Sequence, residues 1–167
     1  CMGVFQTITQ LYRLAQHAVA VQHANGARDA LIMRDFERAF TLGQSALKIW
    51  SRSREPQEWA TAQMNLGIAY RHRIAGVRWE NIERAIECYE RSLDVWTKAG
   101  QPHDWAKVQM NLGNAYRDRI TGDRRENIEK AIECYERSLE IWTQDGQPDD
   151  WASVQTNLGA AYSDRIA

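Results

Sequence analysis

A 46-residue repeat constrains this chain more than any other feature of it. Trp59-Ala60, Trp105-Ala106 and Trp151-Ala152 recur at that interval, as do Asn65-Leu66-Gly67, Asn111-Leu112-Gly113 and Asn157-Leu158-Gly159. Residues 59–104 and 105–150 are identical at 33 of 46 positions. The register also extends backwards, with Asp35-Phe36-Glu37-Arg38-Ala39-Phe40 falling on Asn81-Ile82-Glu83-Arg84-Ala85-Ile86, and Leu47, Trp50 and Pro56 on Leu93, Trp96 and Pro102. Before residue 35 the match dissolves. Self-similarity at this length predicts stacked units, each burying its apolar side on a neighbour.

The register divides one continuous solenoid into five stretches. Residues 1–34 hold a non-repeat helix and a degenerate first unit, and 35–58 the second helix of a degenerate repeat. Residues 59–104 and 105–150 are full repeats, and 151–167 is the first helix of an incomplete one. That last helix keeps its apolar face, so the sequence reads as a fragment of a longer array or as an end covered by another molecule.

Each unit reads as two helices. Trp105, Val108, Leu112, Ala115, Tyr116 and Ile120 recur at three- and four-residue steps, and Ile128, Ala131, Ile132, Tyr135, Leu139 and Trp142 form a second such stripe. Asp104 and Asn127 are the expected N-caps. Gly122 and Gly146 are expected to end the two helices with positive φ. Gly113, inside a helix at a cost of about 1 kcal/mol, recurs at Gly67 and Gly159, which predicts close helix–helix approach. The expected helices cover 4–24, 28–53, 59–74, 81–99, 105–120, 127–145 and 151–166, with a turn at Asn25-Gly26. The fold class is all-α, a right-handed solenoid of about seven helices.

Composition removes several function classes. No run approaches the roughly 18 apolar residues of a membrane span, and the first residues have neither the basic nor the apolar region of a secretory signal. Cys1 ahead of Met2-Gly3 looks added rather than native. A net charge of −1 argues against a dedicated nucleic-acid binder, which needs clustered Lys and Arg. Cys88 and Cys134 lie one repeat apart, beyond the roughly 7 Å reach of a disulfide, and imply a reducing, cytoplasmic setting. His17, His23, His72 and His103 have no metal-ligand spacing, and neither a phosphate loop nor a nucleophile elbow is present. The chain reads as a non-enzyme without metal, cofactor or small-molecule substrate.

The run Asn111-Leu112-Gly113-x-Ala115-Tyr116, followed by Ala131-x-x-x-Tyr135-x-x-Ser138-Leu139, resembles the tetratricopeptide repeat over roughly residues 35–167. The usual unit has about 34 residues, so both connections here are lengthened. Such long units look like arrays of bacterial, especially cyanobacterial, multidomain proteins, which often precede caspase-like CHAT peptidase domains. The kinesin light chain repeats are more distantly similar. The resemblance implies protein recognition, although fold alone does not fix function.

The resemblance also implies where a partner would sit. First helices line the concave face in this family, and in O-GlcNAc-transferase-like arrays a ladder of asparagines grips an extended peptide. Asn65, Asn111 and Asn157 match that ladder, and an amide suits peptide groups because it both donates and accepts. Alternatively, these asparagines bond locally between helices. On the same face fall Met64, Ile68, Arg71 and His72, then Lys107, Met110, Asn114, Arg117 and Asp118, then Thr156; Thr61, Ser153, Ala160, Ser163 and Asp164 accompany them. Lys107 alone stands where a carboxylate clamp wants cations. Arg73, Arg119 and Arg165 recur as well; they are read as structural, with Arg119 pairing Glu126 across the long loop. The tryptophans are read as core, except Trp79, expected as an exposed loop aromatic. The partner is a protein or peptide, or a second copy of the chain through the incomplete last repeat.

Overall fold

A computed structural model describes residues 2–166. It contains α1 (Met2–Ile32), α2 (Phe36–Leu47), α3 (Pro56–His72), α4 (Arg78–Leu93), α5 (Pro102–Asp118), α6 (Arg124–Leu139) and α7 (Pro148–Ile166), with no strand among the described residues. The all-α solenoid of seven helices is therefore as expected. The reading of Cys1 lies outside the described residues.

Consecutive helices pack as antiparallel neighbours. In addition α1 touches α3, α3 touches α5 and α5 touches α7, whereas α2, α4 and α6 do not touch one another. The first helices thus form a continuous row and the second helices stand apart on the other side. Four interior clusters fill the space between; the two largest lie around Ile82, Tyr89, Val108 and Leu112 and around Ile128, Tyr135, Val154 and Leu158, and smaller ones around Trp50 and Ala39. Trp50, Trp96 and Trp142 are buried in the core and Trp59 and Trp105 pack against it, whereas Trp151 is half-buried and joins no interior cluster.

The repeated joint is a tyrosine ring laid on a glycine. A Cβ at Gly67 would stand 2.6 Å from Tyr89 Cε1, and one at Gly113 2.7 Å from Tyr135 Cε1. Serines lock the same helix pairs: Ser92 and Ser138 hydroxyls donate to the carbonyls of Ala60 (3.0 Å) and Ala106 (2.9 Å). Both serines are fully buried, so each hydroxyl answers a demand that burial makes. Cys88 and Cys134 are free, buried thiols whose pKa burial raises to about 12.

Several local expectations are corrected. Helices α3, α5 and α7 start at Pro56, Pro102 and Pro148, three residues before the expected tryptophans. A proline at the first position loses no hydrogen bond and its φ is already helical. Asp104 consequently lies in the first turn, where it complements the dipole, and Gln101 holds the cap position. In α6 the cap is Asp123, whose Oδ1 accepts from the Glu126 amide at 2.9 Å. Asn127 is buried instead, its Nδ2 donating to the Thr121 carbonyl at 2.8 Å and so tying down the loop. Gly122 has positive φ (72°) but turns the loop beyond Asp118, and Gly146 has no positive φ. Trp79 is 44% exposed yet sits in the first turn of α4, not in a loop.

The predicted turn at Asn25-Gly26 is absent, because α1 runs through it. Gly26 serves packing instead: Leu42 Cδ1 lies 3.0 Å from where its Cβ would be. The chain reverses at Arg34, in the left-handed region with φ 58°, where the Asp35 amide donates to the Ala30 carbonyl at 2.8 Å. The expected helix over 28–53 is thereby split, and α2 stops at Leu47. The other second helices also stop early, at Leu93 and Leu139, each followed by a turn in which Trp96 or Trp142 donates its amide to the carbonyl of Ser92 or Ser138.

Candidate functional site

Asn65, Asn111 and Asn157 occupy one position on α3, α5 and α7. Asn65 and Asn111 are 7% and 9% exposed and Asn157 is half-buried. Their stems pack in the row of first helices, yet none of the three amides hydrogen-bonds within the described chain. Nor are their polar atoms among those sealed from solvent. The local inter-helix bond that was the alternative role for these asparagines is not made. A donor and an acceptor per unit are therefore free to meet peptide groups.

The other candidates separate by what they touch. Met64 is buried, Met110 half-buried, and Lys107 and Thr156 exposed; the Thr156 hydroxyl donates to the Ala152 carbonyl at 2.9 Å. Ile68 packs against the interior cluster. The Asn114 carboxamide oxygen accepts from the Tyr135 hydroxyl at 2.8 Å, so that residue holds a core tyrosine.

Towards the C-terminal ends of the same helices the structure brings charges together. Arg71 Nε lies 2.9 Å from Asp118 Oδ2, and Arg117 Nε 3.8 Å from Asp164 Oδ2. Arg78 and Arg124 reach the same two carboxylates at 3.5 Å. His72 stacks on Phe36 with ring centroids 4.7 Å apart and its Nε2 lies 3.2 Å from Arg71 Nη1. Burial first, then the Arg71 charge, lowers its pKa, so the neutral ring receives the guanidinium. Arg71 is thus paired with Asp118 and Arg117 with Asp164, each across a unit boundary. The asparagines, methionines, Lys107 and Thr156 are left without such charge partners.

The recurrent arginines found partners that the sequence did not suggest. Arg119 bridges to Glu83 of the preceding unit, not to Glu126, with Nε–Oε1 at 2.7 Å and Nη2–Oε2 at 3.0 Å. Arg73 repeats the contact with Glu37 at 2.8 Å, and Arg165 with Glu129 at 3.7 Å. Glu126 lies in the first turn of α6, its amide taken by Asp123, whereas the Glu83 side chain points from α4 across the unit boundary. The recurring Glu-Asn-Ile-Glu motif carried the signal. It marks the second glutamate as the inter-unit partner. Lys98 and Glu140, and Arg52 and Asp94 at 2.9 Å, tie the turns in the same unit-to-unit sense.

Repeated helix pairs, a buried joint in each and a row of unpaired amides define a helical-repeat scaffold. No group of three or more His, Cys, Asp or Glu among the described residues is placed to hold a metal, and no helix is long and apolar enough to cross a membrane. Residues 45–164 match the family model for soluble NSF attachment protein, SNAP, and residues 13–48 match the Sel1 repeat. The first match spans well over half of the chain, which therefore belongs to the soluble NSF attachment protein family. Both families are tetratricopeptide-like helical repeats that serve as non-enzymatic scaffolds for protein interaction. No curated protein matches the chain.

Proposed function

We propose that this chain is the interaction arm of a larger, bacterial multidomain protein, an array of 46-residue units of the kind that accompanies CHAT peptidase domains. In that reading it works in the cytoplasm and grips a peptide or protein segment along the row of first helices. Asn65, Asn111 and Asn157 bond the backbone of the bound segment, while the half-buried Met110 offers apolar contact and Lys107 and Thr156 select its side chains. The free amides on three successive first helices carry the reading. Peptides selected from a displayed library against the chain supply the test. Replacing Asn65, Asn111 and Asn157 together by Ala should weaken the selected peptide by at least about tenfold, a loss of roughly 1.4 kcal/mol. Unchanged affinity in a variant with an unchanged melting temperature rejects it.

A second reading is self-assembly through α7. Ala106, Gln109 and Gly113 are buried under α6, whereas their counterparts Ala152, Gln155 and Gly159 are exposed. A second copy would cover that face and produce a dimer or a head-to-tail stack. Light scattering across a wide concentration range decides it, and a strictly monomeric chain sinks the idea.

A further inference from the structure

The separation of the second helices opens a groove of about 510 Å³ between α2 and α4, on the side of α3 away from the asparagine row. Trp59 and Leu66 form its apolar floor, and Lys48, Arg84, Glu87 and Arg91 stand on its walls. Arg84 is occupied by Glu87 at 2.9 Å, but Lys48 and Arg91 form no ion pair among the described residues. Gln63 lines the same groove, is only 4% exposed, and keeps its Oε1 buried with no hydrogen-bond partner. A buried acceptor left unpaired is costly.

The neighbouring unit shows what is different here. Gln44 and Lys48 correspond to Glu90 and Asp94, so two carboxylates of the later unit are replaced by an amide and a cation. In that unit Glu90 accepts from the Tyr116 hydroxyl at 3.2 Å and Arg137 is paired with Glu133. Gln109 repeats the orphaned oxygen, so the amide alone does not single out the first groove. The reversal of charge does: Lys48 stands where the later unit has Asp94, and it joins Arg91, left free because Glu87 is taken by Arg84, beside the apolar floor.

We propose that the α2/α4 groove is a second binding surface, for an acidic peptide segment. Carboxylates of the segment pair with Lys48 and Arg91, and an apolar side chain covers Trp59 and Leu66. The surface is independent of the asparagine row.

The test is fluorescence anisotropy of a fluorescein-labelled peptide built from Asp, Glu, Leu and Phe, titrated with the whole chain. Saturable binding is expected, weakened about tenfold or more by Lys48→Glu with Arg91→Glu and by raised salt. Both side chains are exposed, and a melting curve verifies that the variant folds. Lys48→Arg should retain binding, as should the triple asparagine variant, which separates this surface from the proposed peptide grip. The proposal is overturned if the wild-type chain does not saturate, or if the charge-reversed variant binds equally well. It is overturned too if a peptide with Lys in place of the acids binds equally, or if only anionic lipid vesicles bind.

Discussion

The units at 59–104 and 105–150 share a joint but not its polar finish. In both, a tyrosine ring is pressed against a helix glycine, and the two close approaches differ by only 0.1 Å, 2.6 against 2.7 Å. The Tyr135 hydroxyl then donates to Asn114, whereas Ile68 stands at the corresponding place in the earlier unit and the Tyr89 hydroxyl is buried with no partner. Burial raises the pKa of Tyr135 to about 12, and that of Tyr89 in the same direction. A third copy of the glycine, Gly159, has nothing within 4 Å of its would-be Cβ. Duplication of a repeat therefore transmits shape faithfully. Polar satisfaction depends on single neighbours and has to be met anew in each copy.

The largest expected effect breaks the comparison at the glycines. Gly113→Ala forces a methyl into the Tyr135 ring and should cost about 2 kcal/mol. Gly159→Ala meets open space and should stabilise by up to about 1 kcal/mol through helix propensity alone. Denaturant midpoints of the two variants measure both, and a shift of equal sign would refute the tyrosine-on-glycine account.

The hydroxyls sharpen it at smaller scale. Tyr135→Phe removes a hydrogen bond and should cost about 1 kcal/mol. Tyr89→Phe removes only an orphaned group and should be neutral or stabilising. Thermal melts of the pair distinguish them, and equal losses would mean that Tyr89 has a partner in solution.

Smallest are the arginine rungs. Arg119→Ala should cost at most about 1 kcal/mol, losing both of its hydrogen bonds to the partly buried Glu83. The Arg119 hydrogen bond holds the Glu83 carboxyl below its ordinary 4.5, with desolvation opposing. A lowered carboxylate pKa gives stability that is present above the unfolded value and lost as pH falls through the folded one. Stability measured from pH 6 downwards should therefore decline through and below pH 4.5 in the wild type, and less steeply in Arg119→Ala. Parallel curves would show that the rung is not coupled to folding.

Much of this architecture is legible in the sequence because repetition multiplies each weak signal. The interval of 46, the apolar stripes and the recurrent glycine gave helices, their pairing and the close approach at Gly113. Helix ends were read less well. Asn25-Gly26 has the chemistry of a turn, but the helix continues and buries Ala27 and Ala30 beyond it, with Leu42, 16 residues away in the sequence, lying close to Gly26. Arg34 takes the left-handed position with no glycine to announce it. The candidate face was legible as the asparagine series, whereas the pairing of Arg71 with Asp118 and of Arg119 with Glu83 was not. Those partners lie 47 and 36 residues apart, one unit boundary away, where a periodic pattern gives the register but not which side chains meet.

The sequence by itself determined the repeat, the helical periodicity and hence a stacked all-α array, since stripes at 3.6-residue period have to bury themselves on one another. Only the tertiary structure decided which polar groups are used up and which remain free. That distinction rests on distances of a few ångströms between side chains of different units. It separates the amides of Asn65 and Asn111 from that of Asn114, and Lys48 and Arg91 from the arginines already held by glutamates.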